Sequence, residues 1–138
     1  MLRFIYAWLI YTWGGLHRYF GNKNNMVVEH ERAVHYFARA YAIDPTFRAA
    51  RLQRAILLSR ELGRYVEAIS EYDAMLADDE TYGDALLNRG ILLQEIGRYR
   101  EALADFEQYL RLPDNDAYLA EAHRFVVYLR EIVKDLPS

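Results

Sequence analysis

The chain has 138 residues, of which 53% are hydrophobic and 27% charged, so it can form one domain with a buried core and is unlike a disordered segment. Its formal net charge is only −3 and its arginines are scattered among acidic residues, which excludes the basic patch of a nucleic-acid-binding protein. The absence of cysteine excludes disulfides, thiolate metal sites and cysteine nucleophiles, and because it fits a reducing compartment we expect a cytoplasmic protein.

The first predicted helix covers residues 2–20 and is apolar on every side. Its uncharged run from Phe4 to Leu16 is shorter than the roughly 20 residues that a membrane-spanning helix needs, and no small-residue cleavage site follows it. One face collects six large side chains that we expect to pack on the next helix and the second repeat: Leu2, Ile5, Leu9, Trp13, Leu16 and Phe20. Four others fall on the remaining faces and form a candidate anchor to a membrane or a partner: Phe4, Trp8, Ile10 and Tyr11.

A helix that is apolar all round needs burial all round, which one neighbouring helix does not provide. The first 28 residues carry Arg3, Arg18 and Lys23 but no acid, and such a charge pattern suits an anionic membrane surface. One interpretation is therefore that this helix attaches the protein to a membrane surface or to an integral membrane protein, which would place it at the inner face of the membrane. A homodimer or another soluble contact, and simple completion of the core, are the alternatives.

The remaining elements follow in a regular order. Gly21 is predicted to end the first helix, and residues 22–25 are predicted to form a polar loop. Further helices are predicted at residues 26–43, 47–62, 65–77, 82–96, 99–112 and 116–135. Thr46 is the predicted N-cap of the third helix, and Asp114, Asn115 and Asp116 are predicted to cap the last.

The chain contains an internal repeat. Residues 61–72 and 95–106 are identical at six of 12 aligned positions and are offset by 34 residues, a period that holds two short antiparallel helices and two turns. We expect Gly63 and Gly97 at left-handed helix ends, where glycine has no steric penalty. An alanine at a close helix crossing, followed by an aromatic residue one turn later, recurs three times: Ala33/Phe37, Ala68/Tyr72 and Ala102/Phe106.

The second repeat holds one residue more than the third. Residues 54–58 match residues 89–93 at an offset of 35, whereas Gly63 matches Gly97 at an offset of 34. A bulge in the helix or a longer turn could hold the additional residue, and the sequence leaves both open. Because of this additional residue, the positions of Gln53 and Leu57 within the repeat are also uncertain by one residue.

This order of residues resembles the tetratricopeptide repeat, which has a small residue in helix A, a glycine at the turn, alanine and an aromatic residue in helix B, and a closing proline. Gly14, beside Trp13, and Gly90 stand where the small residue is expected, and Pro45 and Pro113 close the first and third repeats. The resemblance implies an all-α fold, a right-handed α-α superhelix of three helix pairs with a C-terminal capping helix. In a single domain of residues 1–138, it places the apolar first helix and its loop at 1–25, the repeats at about 8–46, 47–80 and 81–114, and the capping helix at about 116–136.

The resemblance also implies a function, because such repeats bind a segment of another protein along a concave surface lined by helix A. The side chains expected on that surface are Gln53, Arg54, Leu57, Asp84, Leu87, Asn88, Ile91, Gln94 and Phe125. A subclass of the family grips C-terminal carboxylates with lysine and asparagine; Asn88, Arg54 and Arg89 could take such places, but the lysines are missing. The apolar members favour a mixed groove for an extended or helical peptide, with the alternative that half of them pack between helices. Glu101 and Asp105 are expected on the outer face.

No residue pattern predicts catalysis, a cofactor or a metal. Glu31 and His35 lie one helical turn apart, but no second histidine follows at a metal-ligand spacing. An acidic cluster lacks the alternating ligands and turn glycine of a calcium loop and is expected to be a solvated loop between repeats: Asp78, Asp79, Glu80 and Asp84. We therefore expect a non-enzymatic scaffold or adaptor that binds another protein and no nucleic acid.

Overall fold

The computed structural model describes residues 1–113 and 116–138, and within them the chain forms seven α-helices, which confirms the expected all-α fold. The helices are α1 (Leu2–Asn24), α2 (Val27–Ile43), α3 (Arg48–Arg60), α4 (Tyr65–Asp78), α5 (Gly83–Glu95), α6 (Tyr99–Leu110) and α7 (Leu119–Lys134), with a 3-10 turn at Asp116–Tyr118. They belong to two compact units, an N-terminal unit of Met1–Glu71 and a C-terminal unit of Tyr72–Ser138. The division between the units lies inside α4.

In the N-terminal unit, α2 packs against both α1 and α3. The contact between α1 and α2 is made by small residues, because the buried residues of α1 are Ala7, Gly14 and Gly21. A Cβ atom on Gly14 would lie 2.9 Å from the Phe37 ring, and one on Gly21 would lie 2.5 Å from the His30 ring. The two helices approach closely because α1 has no side chain at these glycines.

The phase predicted for α1 from its large side chains is wrong. The face expected to pack on α2 is exposed, with fractions of 41% or more at each of its residues: Leu2, Ile5, Leu9, Trp13, Leu16 and Phe20. Large side chains at the contact would hold the helix axes apart, whereas here the aromatic residues of α2 fill the space beside the small residues of α1. On this packed side, the Tyr11 ring lies 5.3 Å from the Phe37 ring and 4.8 Å from the Phe47 ring.

The first helix is also longer than expected. Gly21 does not end it, and residues 22–24 are helical rather than part of a polar loop. The helix ends at Asn25, which has a left-handed conformation with φ of 52° and donates its backbone N–H to the carbonyl oxygen of Gly21. The residues by which the first repeat exceeds the usual length therefore extend α1 to 23 residues.

Two buried polar side chains of α2 are paired with side chains of α1. Glu29 accepts hydrogen bonds from Nδ1 of His17 and from Arg32, both at 2.6 Å. The hydrogen bond from His17 is the main reason that the pKa of Glu29 lies below its ordinary value of 4.5. Nε2 of His30 donates to the side-chain oxygen of Asn22 at 2.8 Å. These hydrogen bonds offset the cost of burying the polar groups.

The turn between α3 and α4 holds the additional residue of the second repeat. The backbone N–H of Arg64 donates to the carbonyl oxygen six residues earlier, whereas that of Arg98, in the turn between α5 and α6, donates to the carbonyl oxygen five residues earlier. Both helices before these turns have 13 residues, so neither contains a bulge. Gly63 with φ of +61° and Gly97 with φ of +81° confirm the left-handed helix ends.

Thr46 does not cap α3, contrary to the prediction. Its backbone N–H and its hydroxyl both donate to one carboxylate oxygen of Asp44, and α3 begins only at Arg48. Asp79 and Thr81 form the same pair of hydrogen bonds before α5. An Asp-x-Thr turn thus precedes the helix pair α3–α4 and the helix pair α5–α6. In each turn the aspartate carboxylate accepts a hydrogen bond from a backbone N–H group of the turn. The cap predicted for α7 at residues 114–116 lies outside the described side chains.

In the C-terminal unit, α6 packs against both α5 and α7. Phe106 is fully buried at the centre of this unit, since a Cβ atom on Gly90 would lie 3.0 Å from its ring and the Phe125 ring stacks on it at 4.7 Å. All three copies of the alanine–aromatic motif are buried, with at most 1% exposed: Ala33/Phe37, Ala68/Tyr72 and Ala102/Phe106. The expected role of this motif in helix packing is confirmed.

We predict that Ala102→Leu lowers the free energy of unfolding by about 1–3 kcal/mol, because a fully buried alanine leaves no room for three more carbon atoms. Denaturant melts of the variant and the wild type measure the difference. Ala104→Leu, at an exposed position of the same helix, is the control and should change stability by less than about 0.5 kcal/mol. Equal stability of the two variants would contradict the close crossing at Ala102.

We also predict an acid-sensitive contribution of Glu29 to stability. The lowered pKa of Glu29 means that its stabilising contribution is present above its ordinary pKa of 4.5 and is lost as the pH falls through the lower pKa of the folded state. The free energy of unfolding of Glu29→Gln should therefore depend less on pH between about 5 and 3 than that of the wild type. Glu121→Gln, at an exposed site on α7, should keep the wild-type slope. Parallel curves for all three proteins would refute this role of Glu29.

Candidate functional site

One face of α5 carries a stripe of four accessible residues, of which two are exposed and two are half-buried. Asp84, Asn88, Ile91 and Glu95 are spaced by four, three and four positions, so they share one face of the helix. The side-chain amide of Asn88 donates to the backbone oxygen of Asp84 at 2.8 Å, which fixes its orientation. Three of these residues were predicted as binding residues. Glu95 was missed, although its spacing from Ile91 indicates the same face. We call these four residues the α5 stripe.

Two of the predicted groove leucines are buried. Leu87 is 7% exposed and Leu57 is 2% exposed, so most of each side chain packs inside its own unit. Phe125 is half-buried and stacks on Phe106. Gln94 is half-buried beside the α5 stripe, and its Oε1 is a buried atom without a hydrogen-bond donor. These apolar residues shape the helix packing, while the α5 stripe offers the accessible surface.

Arg54 and Gln53, predicted for the same groove, lie on α3 in the N-terminal unit and have partners there. Nη1 of Arg54 donates to Glu71 at 2.7 Å, and its Nε is buried without an acceptor. The side-chain oxygen of Gln53 accepts a hydrogen bond from Arg18 of α1. Both side chains therefore already connect helices of this unit.

Arg89 forms a matching ion pair in the C-terminal unit. Its Nε and Nη2 donate to both carboxylate oxygens of Asp105 at 2.8 and 2.7 Å, and its Nη1 donates to Asp73 at 2.9 Å. The hydrogen bonds to Asp105 are the main reason that the pKa of Arg89 is raised. Asp105 is only 4% exposed, so its predicted place on the outer face is wrong. The arginines that could have served in a carboxylate clamp, Arg54 and Arg89, are thus neutralised by acids of the neighbouring helix.

The second accessible surface is on α1, opposite its contact with α2. Seven large side chains between 41% and 84% exposed form what we call the α1 apolar face: Leu2, Ile5, Tyr6, Leu9, Trp13, Leu16 and Phe20. Of the four predicted anchor residues, Phe4 and Trp8 are each 49% exposed, whereas Ile10 and Tyr11 are partly buried. The accessible apolar surface therefore differs from the predicted anchor in most of its residues.

An open cleft of about 510 Å³ borders the α1 apolar face, with Trp13 and His17 on one wall and residues of α2 on the other. The His17 ring stacks on Tyr36 at 5.2 Å with an interplanar angle of 4°, and the edge of Trp13 faces His17 at 5.9 Å. Glu31 and His35 also line this cleft. Within residues 1–113 and 116–138, no three His, Asp or Glu side chains are grouped so that they could hold a metal ion.

No helix in the described part of the chain is long and apolar enough to cross a membrane.

One segment of the chain matches a known family of repeats. Residues 83–116, which cover α5 and α6, match the family model of the tetratricopeptide repeat. None of the curated protein sequences matches the chain.

Solved structures of tetratricopeptide (TPR) domains share the fold. The first TPR of Spaghetti (RPAP3), bound to the HSP90 peptide SRMEEVD, is 21% identical with a TM-score of 0.67, and the match covers 88% of this chain and 94% of that one. The second TPR domain of human RPAP3, in complex with the HSP70 peptide SGPTIEEVD, is 24% identical with a TM-score of 0.61, covering 83% and 92%. The Sgt2 TPR domain from Aspergillus fumigatus is 18% identical with a TM-score of 0.68, covering 91% and 85%.

The repeat sequence and the fold agree with the packing of the helices. Gly90 on helix A, Gly97 at the turn, and Ala102 and Phe106 on helix B all lie within the matched residues and take the positions described above. The chain therefore has the fold of tetratricopeptide repeat domains, and its residues 83–116 match the family model of the repeat.

Proposed function

We propose that this protein binds a segment of another protein and that the α5 stripe is its recognition surface in the C-terminal unit. The observation that carries the proposal concerns α5, the helix A of the matched repeat. Its acids Asp84 and Glu95 are exposed, with the half-buried Asn88 and Ile91 between them, while six other residues of the helix are buried. Two solved domains of the same fold hold peptides, which supports the same use of the fold here. A role for Gln53, Arg54 and Leu57 in binding stays a prediction from the sequence.

The charges of the stripe define the kind of segment. Asp84 and Glu95 place an acid near each end, with the Asn88 amide and the Ile91 side chain between them. The pairing of Arg89 with Asp105 leaves no unpaired arginine on α5, so an acidic peptide end of the EEVD type would meet carboxylates rather than donors. We infer a segment with an apolar side chain for Ile91 and basic side chains for the two acids, because complementary charges set partner choice and register.

A peptide array that varies the number and spacing of Lys, Arg and Leu tests this proposal with the full chain. We expect segments with two basic residues flanking an apolar residue to bind, and SRMEEVD and SGPTIEEVD not to bind. Asp84→Lys combined with Glu95→Lys should weaken the best peptide by about tenfold or more, because both contacts change from attraction to repulsion. Ile91→Ser should weaken it by about 1–2 kcal/mol through lost apolar burial.

Glu121→Lys combined with Asp135→Lys is the charge-matched control, because both residues are exposed in the same unit but lie outside α5. This control should bind the best peptide as the wild type does. Tight binding of the acidic peptides, or equal losses in the two charge-reversal variants, would refute the proposed recognition surface.

A second candidate function is attachment of the protein through its first helix, as an assembly or anchoring factor in the cytoplasm or at the inner face of a membrane. The specific observation in its favour is the α1 apolar face, whose large side chains are each 41% or more exposed. This function does not compete with peptide binding, because it uses a different unit of the chain.

A further inference from the structure

We propose that the α1 apolar face is a docking surface for an anionic lipid membrane, on which the helix lies flat. This inference rests on the second candidate function, attachment through the first helix, and names the occupant of that surface, which peptide binding by the α5 stripe does not use. The two proposals concern different helices and different units, so each can fail without the other.

The size of the α1 apolar face is the first argument. Its seven side chains, together with Trp8 and Tyr19, are all 41% or more exposed. Since an aromatic side chain buries about 150–250 Å², nine half-exposed large side chains offer on the order of 800 Å² of apolar surface. The largest apolar patch on a typical monomer is about 300–600 Å², so a surface of this size indicates an interaction site.

The geometry of α1 fits a helix that lies flat on a membrane surface. The small residues Ala7, Gly14 and Gly21 hold one side of the helix against α2, so the large side chains point away from the rest of the unit. A helix of 23 residues is about 35 Å long, and the exposed side chains extend from Leu2 to Phe20 along it. An apolar face of this form enters the boundary between lipid headgroups and acyl chains along its whole length.

The aromatic residues of this surface are of the types that prefer a membrane interface. Trp8, Trp13, Tyr6 and Tyr19 are between 49% and 56% exposed, and each combines an apolar ring with a polar N–H or O–H group. Such rings are enriched where acyl chains meet headgroups, because the ring is buried while the polar group stays hydrated.

The charged residues of α1 indicate whether the α1 apolar face is covered by a lipid surface or by a second copy of the chain. The charged residues before Glu29 are all basic, with Arg3 near the start of α1 and Lys23 near its end. The Arg3 side chain is 67% exposed, although its Nη2 lies 3.9 Å from a carboxylate oxygen of Asp44. The Lys23 ammonium lies over the Tyr19 ring at 5.9 Å. Because α1 contains no acid, a second copy of this helix would bring only further cations to the Lys23 end, whereas anionic headgroups complement Lys23. We therefore assign the surface to lipid.

Tryptophan fluorescence of the full chain tests this assignment directly, because its two tryptophans, Trp8 and Trp13, both lie on the exposed part of α1. The probes are vesicles of phosphatidylcholine with phosphatidylserine, and vesicles of phosphatidylcholine alone. We expect a blue shift and flotation with the first kind of vesicle and much weaker binding to the second. Light scattering without vesicles should give the mass of one chain.

Two pairs of variants separate the contributions. Leu9→Ser combined with Leu16→Ser should abolish flotation, while Val66→Ser, at an 84% exposed position on α4, should not change it. Arg3→Gln combined with Lys23→Gln should weaken binding to the anionic vesicles by about fivefold per charge. Arg124→Gln combined with Lys134→Gln, two exposed cations of α7, should have no effect. Circular dichroism establishes that each variant is folded.

Two results would overturn the proposal. The first is a mass of two chains, lost in the Leu9/Leu16 variant, together with no flotation, which would assign the face to a second copy. The second is a single chain whose tryptophan emission does not change with either kind of vesicle. Equal binding of the wild type and the Leu9/Leu16 variant to anionic vesicles would also contradict it, because the apolar face would then not be the contact.

Discussion

The contact between a small residue of helix A and an aromatic ring of helix B is the constraint on which this structure depends. The ring of Phe37 occupies the space where a Cβ of Gly14 would be, and the ring of Phe106 does the same at Gly90, with distances of 2.9 and 3.0 Å. Any larger residue would push the two helices apart or force the ring into another rotamer. These two contacts set which face of α1 and of α5 is turned inward.

The outward faces follow from that choice. On α5, turning Gly90 inward leaves the acids Asp84 and Glu95 exposed at the surface. On α1, turning Gly14 inward sends leucines and tryptophans outward, which would be unfavourable unless another surface covers them. Arg54 and Arg89 each bind an acid of the following helix, so their guanidinium groups take part in the pairing of the helices. The two accessible faces thus differ in chemistry, one acidic and mixed, the other apolar with basic ends.

Much of the fold could be predicted from the sequence because the repeat is locally encoded. The glycines at the turns, the alanine–aromatic motif and six of the helix positions depend on contacts within one repeat, and the structure has them as expected. The phase of α1 could not be found in this way, because a helix apolar on every side has no periodic signal, and residue size was mistaken for burial. A search for the smallest residues, Ala7, Gly14 and Gly21, would have given the correct face.

The errors in placing individual side chains have a common physical cause. Asp105 and Thr46 were assigned from residue type, as a solvated acid and a helix cap, but each is held by a specific partner that is distant or unexpected in sequence: Arg89 for Asp105 and Asp44 for Thr46. Leu57 and Leu87 were expected to line a groove, yet burial within a unit depends on neighbouring helices that the sequence does not specify. The sequence patterns therefore do not predict which side chains pair with one another across helices.

The central claim is that glycine–aromatic contacts turn the large side chains of α1 outward, and nuclear Overhauser effects measure this most directly. In the full chain, the α-protons of Gly14 should show cross-peaks to the ring protons of Phe37, and those of Gly90 should show cross-peaks to the ring protons of Phe106. The methyl groups of Leu9 and Leu16 should show none to α2. Strong cross-peaks from those methyl groups to the Phe37 ring, without any from Gly14, would contradict the account.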